Sequence, residues 1–497
     1  MNIATNLTAT AARCPDRPAV RLDGAVLTYA DLAERSARVA AFLRAQGVRP
    51  GDRVAVMLPN VPEFATAYFG ILRAGAVVVP MNPLLKEREV AYYLADSDAR
   101  LILAAPACAG AAAAGAARAG AACHPVDGGF ADASAGHPPA DDVADRADGD
   151  TAVILYTSGT TGRPKGAQLT HANLATNVRI AATELFHLRP DDVVFGGLPL
   201  FHSFGQTCGL NAAVSVGACL TLIARFTPEK ALEVIERDAV TVFQGVPTMY
   251  VALLGAPGRD RCDASALRLC VSGGAALPVE VLRGFERAFG CVVLEGYGLS
   301  ETSPIASFNH PDRQRKAGSI GTPIRGVDFR VVDEDGKDVA VGDVGEIVVR
   351  GHNVMAGYWR RPEETAAVVR NGWFHTGDLA RVDEDGYFFI VDRKKEMIIR
   401  GGFNVYPREI EEVLYEHPAV AEVAVVGIPD ATLGEEIGAA VVLRPGSEVT
   451  RTELADHVKG QLAPYKYPRR VWFVPALPKG PTGKVLKREI RPPEVAR

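Results

Sequence analysis

Ten consecutive residues combine hydroxyls, glycines and cations in a pattern suited to binding a polyphosphate. Residues 157–166 read TSGTTGRPKG. The hydroxyls are those of Thr157, Ser158, Thr160 and Thr161, the glycines are Gly159, Gly162 and Gly166, and the cations are Arg163 and Lys165. Backbone N–H groups of a glycine-rich turn and side-chain hydroxyls can surround the non-bridging oxygens of a triphosphate. The composition alone fits a flexible polar surface loop equally well.

The segment is not a Walker A loop. That motif, G-x-x-x-x-G-K-[ST], needs a lysine that opens a helix and a hydroxyl directly after it. In this chain Pro164 removes a backbone N–H before Lys165, and Gly166 stands where the motif requires the hydroxyl. The preceding run 151–156, TAVILY, predicts a buried strand that leads into the loop.

Two later segments contain residues that could contact a nucleotide. In residues 296–302, GYGLSET, the glycines allow a ligand to approach the backbone, Tyr297 offers a stacking face, and Glu301 offers a hard oxygen ligand for magnesium. A capped strand-to-helix turn explains this string equally well. In residues 375–378, HTGD, the carboxylate of Asp378 could accept both hydroxyls of a ribose. An aspartate in a tight turn is the simpler explanation of these four residues alone.

Two charged segments lie nearer the C-terminus. Residues 392–396, DRKKE, are by themselves typical of a solvated linker. Residues 478–484, PKGPTGK, present Lys484 on a turn that two prolines make rigid. A basic C-terminal tail that includes Lys487 and Arg488 is the alternative for this second segment.

Together these five segments resemble, in order and spacing, the signature segments of the adenylate-forming superfamily, which contains acyl-CoA synthetases, peptide-synthetase adenylation domains and luciferases. The resemblance covers essentially the whole chain, which is similar to a stand-alone acyl-CoA synthetase, that is, a fatty-acid–CoA ligase. It implies ATP, Mg²⁺ and coenzyme A as the cofactor and co-substrates. A non-catalytic nucleotide-binding protein on the same fold would not need the shared cations and carboxylates, and no oxygen-handling feature supports a luciferase.

The resemblance also implies roles for individual residues. The catalytic residues would be Lys484, Glu301 and Lys165, and the metal ligands would be Glu301 and Thr157. The nucleotide would be bound by Thr157, Ser158, Gly159, Thr160, Thr161, Gly162, Gly274, Ala275, Glu295, Gly296, Tyr297, Gly298, Thr302, Asp378 and Arg393. Lys395 would be the interdomain hinge, and Gly401 and Gly402 would lie against the pantetheine of coenzyme A, where a side chain would obstruct.

The chemistry that the resemblance implies has two halves. A carboxylate first attacks the α-phosphorus of ATP and expels pyrophosphate, and a thiol then attacks the carbonyl of the acyl-adenylate and releases AMP. The first half depends on positioning and on cations, because charge accumulates on oxygens. One lysine cannot hold this transition state and also leave room for the thiol, so the C-terminal domain is expected to rotate about Lys395.

The sequence indicates the substrate acid less sharply than it indicates the nucleotide. The family's malonate enzymes carry an arginine at the position of Gly296, and its acetate enzymes a tryptophan at that of Gly298, so the pocket is expected to be neither basic nor blocked. Amino-acid-activating domains hold an aspartate near residues 201–204, and none occurs in residues 198–217. The expected pocket residues are His202, Phe201, Phe204, Gln206, Phe243, Val246, Pro247 and Met249. They favour an unbranched medium or long acyl chain first and an aryl or cinnamic acid second. His202 resembles the family's gate residue and fits a core histidine equally well.

The chain as a whole excludes several classes of protein. Its 497 residues, 48% of them hydrophobic, are enough for about two to four domains. A net charge of −5 provides no basic field for nucleic acid. The eight cysteines are scattered without a C-x-x-C pair, which argues against structural zinc and for a reducing cytoplasm. No signal peptide and no run long enough to span a bilayer are recognised. The expected location is therefore the cytoplasm, and a homodimer is left open.

Helical and strand patterns alternate along most of the chain. Thr28 can cap a helix that Gly47 ends. Further strands are predicted at 52–58, 76–80, 219–223, 240–244, 267–272 and 291–294, and further helices at 61–74, 228–237 and 278–289. This alternation predicts parallel sheets with crossover helices. Residues 104–123, almost all Ala and Gly, are predicted to form a low-complexity surface helix or loop.

The fold prediction is α/β with two domains. Residues 1–392 are expected to form a large N-terminal, AMP-binding domain of parallel α/β sheets with a β-rich subdomain at about 318–391. Residues 393–497 are expected to form a small mobile C-terminal α+β domain that carries the catalytic lysine.

Overall fold

Four β-sheets and the helices that cover them make up the part of the chain that the computed structural model describes, residues 1–127, 130, 134–140, 142–157, 163–430 and 432–493. The α-helices in this part are α1 Thr5–Arg13, α2 Tyr29–Ala45, α3 Pro62–Arg73, α4 Glu87–Ser97, α5 Ala109–Ala119, α6 His171–Ile180, α7 Ala212–Val216, α8 Pro228–Arg237, α9 Pro247–Leu254, α10 Val279–Phe289, α11 Pro362–Val368, α12 Pro407–Tyr415 and α13 Arg451–Lys459. Two further segments, Ala181–Leu185 and Phe204–Asn211, are π-helical.

The strands follow in chain order. Those of the first 323 residues are β1 Pro18–Leu22, β2 Ala25–Thr28, β3 Arg53–Met57, β4 Val77–Pro80, β5 Ala99–Ala104, β6 Ala122–Pro125, β7 Thr151–Thr157, β8 Lys165–Thr170, β9 Val193–Gly196, β10 Cys219–Leu222, β11 Val242–Gly245, β12 Leu269–Ser272, β13 Val293–Gly298, β14 Ile305–Phe308 and β15 Thr322–Pro323. The later ones are β16 Val327–Val332, β17 Gly345–Gly351, β18 Gly357–Tyr358, β19 Val369–Arg370, β20 Trp373–Val382, β21 Phe388–Arg393, β22 Ile398–Arg400, β23 Phe403–Val405, β24 Val420–Asp430, β25 Gly434–Leu443 and β26 Arg470–Phe473.

The two large sheets are mainly parallel, which confirms the prediction from alternating helices and strands. A nine-stranded sheet has the order β15-β14-β13-β12-β11-β9-β10-β1-β2, and a seven-stranded sheet has the order β18-β8-β7-β4-β3-β5-β6. Strands β1 and β9–β13 pair in parallel in the first sheet, and β3–β7 pair in parallel in the second. Antiparallel strands extend both sheets at their ends. The sequence patterns did not indicate these additions.

Local sequence explains where the helices begin. The Thr28 hydroxyl accepts a hydrogen bond from the backbone N–H of Asp31 (3.1 Å), and the Asp31 carboxylate accepts one from that of Thr28 (3.0 Å). This reciprocal capping box satisfies two donors that the first turn of α2 would otherwise leave free. Thr170 and Asn173 start α6 in the same way. Gly47 follows the end of α2 with φ of +78°, as the sequence predicts.

The Ala- and Gly-rich segment contains a helix that packs on its neighbour. Helix α5 buries Ala112 and Ala116, and a Cβ added at Gly115 would lie 2.7 Å from the Cβ of Val90 on α4. The prediction of a helix is therefore confirmed, but one face of it is part of the core because small residues allow close approach.

Two smaller sheets complete the chain. The first has the order β16-β17-β20-β19, with β21 paired to β20. The second has the order β23-β22-β25-β24, with β26 paired to β25, and it encloses a hydrophobic core of its own with α12 and α13. The turn at residues 394–396 leads from the last strand of one sheet to the first strand of the other. Arg393, predicted as the first residue of the C-terminal domain, pairs with Asp378 in the first of these sheets.

Candidate active site

The polyphosphate-type loop connects two antiparallel strands of the seven-stranded sheet. Strand β7 ends at Thr157 and β8 begins at Lys165, which are partners in the ladder. The predicted nucleotide-binding residues Ser158, Gly159, Thr160, Thr161 and Gly162 lie outside the described residues. Beyond them, the carbonyl of Pro164 accepts a hydrogen bond from the Tyr92 hydroxyl (2.8 Å). The two flanks of the loop are thus positioned by a β-hairpin and by helix α4.

Glu301 lies at the centre of a hydrogen-bonded group beside this loop. Its carboxylate, on a residue only 8% exposed, accepts hydrogen bonds from the hydroxyls of Thr157 (3.1 Å) and Tyr358 (3.0 Å). Lys165 Nζ lies 5.3 Å from the centroid of the Tyr358 ring. The structure therefore brings together Thr157, Lys165 and Glu301, three of the predicted site residues, with a tyrosine that the sequence reasoning missed.

Tyr358 could not have been found from its local sequence. It lies on the two-residue strand β18, which pairs with β8 next to the loop. Burial and the Glu301 carboxylate raise the pKa of its hydroxyl, so it is a hydrogen-bond donor at physiological pH. Its position follows only from the antiparallel extension of the sheet.

A second hydrogen-bonded group joins three predicted nucleotide contacts. The Tyr297 hydroxyl donates to one oxygen of the buried Asp378 carboxylate (2.6 Å), and Arg393 Nε lies 3.1 Å from the other. The backbone N–H of Asp378 also donates to the Thr376 hydroxyl (3.1 Å). Burial and Asp378 raise the pKa of Tyr297. The carboxylate is thus held in one orientation by groups from β13, β20 and β21.

The glycines near Tyr297 are required by packing. A Cβ at Gly296 would lie 2.4 Å from the Phe308 ring, and one at Gly298 would lie 1.7 Å from the carbonyl oxygen of Pro304. The Thr302 hydroxyl donates to this same oxygen (2.7 Å) and fixes the chain after β13. In this chain the two glycines therefore allow the close approach of β13 and β14.

Glu295 directs its side chain away from this group. It is 2% exposed, and one carboxylate oxygen accepts a hydrogen bond from the backbone N–H of Leu277 (3.1 Å). Burial raises the pKa of Glu295 to about 7. A nucleotide contact from this residue would have to come from its backbone.

Lys484 reaches the strand ends of the nine-stranded sheet from the C-terminal part of the chain. A Cβ placed at Gly274, where φ is +82°, would lie 3.1 Å from Lys484 Cε and 3.7 Å from Nζ. The Thr248 hydroxyl donates to the carbonyl of Gly483 (2.9 Å). Burial and the charge of Arg393 lower the pKa of Lys484 from its ordinary value of 10.5 to about 8. Next to Gly274, Ala275 is exposed.

Several predicted pocket residues lie around the same glycine turn. A Cβ at Gly273 would be 3.1 Å from the Phe204 ring, and one at Gly274 would be 3.4 Å from Val246. His202 Nδ1 accepts a hydrogen bond from the backbone N–H of Phe204 (3.3 Å). Burial and the nearby Lys484 charge lower the pKa of His202 to about 3, so its ring is neutral at physiological pH. The predicted gate is thus next to the predicted catalytic lysine.

Other predicted pocket residues belong to the surrounding core. Phe243 is fully buried and packs its ring against Phe195 (4.8 Å between centroids) and Tyr250 (5.3 Å). Gln206 is fully buried on the π-helical segment, Met249 is 6% exposed, Pro247 is the first residue of α9, and Phe201 packs partly buried against the main core. A role for these residues in an acyl pocket stays a prediction.

The predicted hinge and coenzyme A residues lie on turns of the C-terminal part. Lys395 is exposed in the turn at 394–396. Gly401 and Gly402 connect β22 to β23 with φ of +57° and +86°, and both are exposed. In this arrangement they present a bare backbone to solvent.

Comparison with known proteins assigns the family. The family model of AMP-binding enzymes matches residues 7–359, and that of the AMP-binding enzyme C-terminal domain matches residues 409–484. A feruloyl-CoA synthase from Amycolatopsis sp is 43% identical over 481 residues, with 96% of each chain covered. A long-chain-fatty-acid–CoA ligase from Bacillus subtilis (strain 168) is 39% identical over 520 residues, which cover 97% of this chain and 93% of that protein. The chain belongs to the family of AMP-binding enzymes, the adenylate-forming superfamily indicated by its motifs.

Two solved structures of one relative superpose on this chain over nearly its whole length. ATP-bound MatB from Rhodopseudomonas palustris is 38% identical to this chain, covers 98% of both chains and superposes with a TM-score of 0.91. Apo MatB has the same identity, covers 98% of this chain and 97% of its own, and superposes with a TM-score of only 0.83.

Two further kinds of feature are absent from the described residues. They contain no group of three or more His, Cys, Asp or Glu side chains able to hold a metal ion. None of the helices in these ranges is both long and apolar enough to cross a membrane.

Proposed function

We propose that this chain uses ATP to convert a carboxylic acid into an acyl-adenylate and then into a coenzyme A thioester, with Lys484 as the cation of the first half. It is an AMP-forming acid–thiol ligase. The observation that supports this assignment most is the position of Lys484. It packs on Gly274. It is also close enough to Arg393 and His202 that the Arg393 charge lowers the pKa of Lys484 and the Lys484 charge lowers the pKa of His202.

In the first half, an oxygen of the substrate carboxylate attacks the α-phosphorus of ATP, and the bond to the bridging oxygen of the β-phosphate breaks. Pyrophosphate leaves with the electron pair of that bond. Lys484 stabilises charge that develops between the carboxylate and the α-phosphate, and Lys165 does so at the departing phosphates. The Asp378 carboxylate accepts hydrogen bonds from the ribose hydroxyls. The Tyr297 hydroxyl, which donates to the same carboxylate, must then move aside or share it.

The donor set beside the loop fits Mg²⁺. Glu301 supplies a carboxylate and Thr157 a hydroxyl, both hard oxygen donors, and Mg²⁺ is commonly held by one carboxylate together with substrate phosphates. When bound there, the ion would neutralise charge on the phosphate oxygens. Tyr358 orients the Glu301 carboxylate through its hydrogen bond.

In the second half, the thiol of coenzyme A attacks the acyl carbonyl carbon. The carbon–oxygen bond to AMP breaks, AMP leaves with the electron pair of that bond, and the thiol proton is released to solvent. The C-terminal domain rotates about Lys395, withdraws Lys484 and brings Gly401 and Gly402 against the pantetheine. Their exposure and their lack of side chains support this assignment.

The first candidate for the acid is an unbranched medium- or long-chain fatty acid. The relative from Bacillus subtilis carries that name, and Phe204 and Val246 offer apolar surface next to the glycine turn. The neutral His202 adds no charge that would select a second carboxylate or an ammonium group.

An aryl or cinnamic acid is the second candidate. The feruloyl-CoA synthase is somewhat more identical to this chain than the fatty-acid ligase is. The carbonyl oxygens of the buried side chains of Gln206 and Gln244 have no hydrogen-bond partner among the described residues. Unpaired buried acceptors favour a ligand that can donate a hydrogen bond, such as a phenol.

Exchange of labelled pyrophosphate into ATP tests the function, with and without each acid of a panel. Octanoate, palmitate, benzoate and ferulate separate the two candidates, and coenzyme A-dependent release of AMP measures the complete reaction. We expect acid-dependent exchange with kcat/KM highest for a fatty acid, and a maximum at ferulate would select the second candidate. If no acid stimulated exchange, the chain would be a non-catalytic nucleotide-binding protein.

Two finer assignments belong with this proposal. A cytoplasmic location is supported by the eight cysteines, all of which are free thiols. A homodimer stays a prediction.

A further inference from the structure

Helix α12 belongs to the C-terminal part but lies well before Lys484 in the sequence. One face of this helix contacts the large domain. Arg408, in the first turn of this helix, donates hydrogen bonds through one guanidinium nitrogen to the carbonyl of Ile390 (2.7 Å) and through another to that of Gly318 (3.4 Å). Its backbone N–H donates to the buried carboxylate of Asp392 (3.1 Å). These three partners precede the turn at 394–396, so each of these hydrogen bonds crosses from one part of the chain to the other.

Glu412, one turn further along α12, makes a second contact of this kind. One of its carboxylate oxygens accepts a hydrogen bond from the backbone N–H of Val279 (3.3 Å), the first residue of helix α10 in the large domain. The start of a helix attracts negative charge because its first N–H groups lack intrahelical partners. The other carboxylate oxygen lies 3.6 Å from Arg408 Nε. Arg408 and Glu412 therefore support each other while both contact the large domain.

The surroundings of this pair are buried and charged. The side chain of Arg408 is only 13% exposed, and burial raises the pKa of Glu412. Glu295 of strand β13 also lies within range. Burial raises its pKa most, the Arg408 charge lowers it, and the Glu412 charge raises it. When the two parts separate, Arg408 loses its hydrogen bonds to the carbonyls of Ile390 and Gly318. It also loses the nearby Glu295 carboxylate.

The contact between helix α12 and the large domain is polar, which suits an interface that must separate during the reaction. Carbonyls and N–H groups that separate on rotation can bond to water instead, so the net cost of opening each hydrogen bond is small. A large apolar contact would oppose opening in proportion to its area. Only the three-residue strand β23 and Tyr406 separate helix α12 from Gly401 and Gly402, so any rotation that moves these glycines to the site must move Arg408 and Glu412 away from their partners.

We infer that Arg408 and Glu412 are positioning residues that hold the C-terminal domain in the orientation in which Lys484 reaches the site, and that they release it for the second half-reaction. The inference depends on the proposed division of the reaction between two domain orientations. It assigns to one face of α12 a role that the nucleotide-site residues do not have.

The test compares the two half-reactions in full-length variants. Adenylate formation is measured by acid-dependent pyrophosphate exchange, and thiolation by AMP release from a supplied acyl-adenylate and coenzyme A. We expect Arg408→Ala to slow adenylate formation about tenfold or more, since the two charge-assisted hydrogen bonds of the guanidinium are lost. Thiolation should stay within about twofold of the parent chain, because the contact is open in that step.

Three further variants make the test specific. Arg408→Lys keeps the charge but cannot donate to two carbonyls from a planar fork, so an intermediate effect is expected. Glu412→Gln removes the charge with little change of shape and should affect the same half-reaction. Glu409→Gln on the same helix breaks an ion pair with Lys466 inside the C-terminal part (2.7 Å) and should leave the ratio of the two rates unchanged.

The ratio of adenylation to thiolation decides the inference. If Arg408→Ala leaves this ratio unchanged, whether both rates fall or neither does, the inference is wrong. If that variant does not fold, Arg408→Lys and Glu412→Gln decide by the same criterion. Lys484→Ala in the same assays separates the two proposals. Loss of both halves in Lys484→Ala contradicts the proposed division of labour and the inference with it, whereas selective loss there and an unchanged ratio in Arg408→Ala contradicts the inference alone.

Discussion

The nucleotide side of the site and the lysine turn are positioned by different means. On the nucleotide side, Asp378 is held by Tyr297 and Arg393 at 2.6 and 3.1 Å, and Glu301 is held by hydroxyls at 3.0 and 3.1 Å. These groups lie on strands of the large sheets and of the β-rich sheet or directly beside them. Lys484 is carried by a turn of the C-terminal part, which contacts the large domain through a hydrogen bond to Gly483 and packing on Gly274.

This difference indicates which groups serve both half-reactions. Groups that hold AMP are needed while the adenylate forms and while it reacts, so they benefit from a rigid network. The cation between the carboxylate and the α-phosphate is needed only in the first half-reaction, and a position set by separable contacts allows it to leave. The comparison predicts that variants on the two sides differ in which half-reaction they slow.

The largest effect is expected for Lys484→Ala. Removal of the cation should lower the rate of adenylate formation by about 10²- to 10³-fold, because a preorganised charge is lost at the transition state. Thiolation of a supplied acyl-adenylate should persist. Pyrophosphate exchange and AMP release measure the two halves separately. Equal loss of both rates would contradict the proposed difference between the nucleotide side and the lysine turn.

Asp378→Ala tests the opposite side. Loss of the ribose contact should raise the KM for ATP by about 10- to 100-fold, since hydrogen bonds to a charged group are the stronger ones. Thiolation should fall as well, because AMP is held by the same carboxylate in both steps. Asp378→Asn, which keeps the shape but can accept fewer hydrogen bonds, should be less affected. A thiolation rate unchanged by Asp378→Ala would count against a shared nucleotide site.

The pH dependence of adenylate formation should reflect the buried lysine. Burial lowers the pKa of Lys484 to about 8, so the charged form prevails below that pH and is lost as the pH rises through it. The kcat/KM for ATP, which reports the free enzyme, should therefore fall about tenfold per pH unit well above pH 8. Lys484→Arg, always charged, should lack this fall at a lower overall rate. His202, with a pKa of about 3, should contribute no change between about pH 5 and pH 9.

Tyr358→Phe should have the smallest effect. The substitution keeps the ring near Lys165 and removes only the hydroxyl that donates to Glu301. One hydrogen bond of this kind corresponds to about a 3- to 10-fold lower rate of adenylate formation. We expect part of the loss to be recovered at higher Mg²⁺ concentration. If added Mg²⁺ restored none of the lost rate of adenylate formation, Tyr358 would have no role in binding the ion.

The order of helices and strands was largely predictable from the sequence. Residues at 228–237 and 407–415 show helical periodicity with a proline at the first position, and the structure has helices with those bounds. The parallel sheets also followed, because buried strands that alternate with helices have few other arrangements. The antiparallel strand β18 was not foreseen, since two residues have no periodicity to detect.

The sequence predicted the kind of site better than it predicted the direction in which each side chain points. The predicted pocket residue Phe243 packs its ring with Phe195 and Tyr250, because alternate strand residues face opposite sides of a sheet, and its role in a pocket stays a prediction. Glu295 stands directly before the glycines of the nucleotide segment, and yet its carboxylate bonds to Leu277. In both cases the direction of one side chain depends on strand register, which composition does not reveal.

By itself, the sequence determined the family and the chemical types at the site, because hydroxyls, glycines, carboxylates and lysines at these spacings suit phosphate and ribose. Only the tertiary structure decided which of them meet. Lys484 lies 210 residues after Gly274 in the chain, and Tyr358 lies 57 residues after Glu301. Contacts over such separations are set by how sheets pack and how the C-terminal part docks, through many weak interactions that no short stretch of sequence contains.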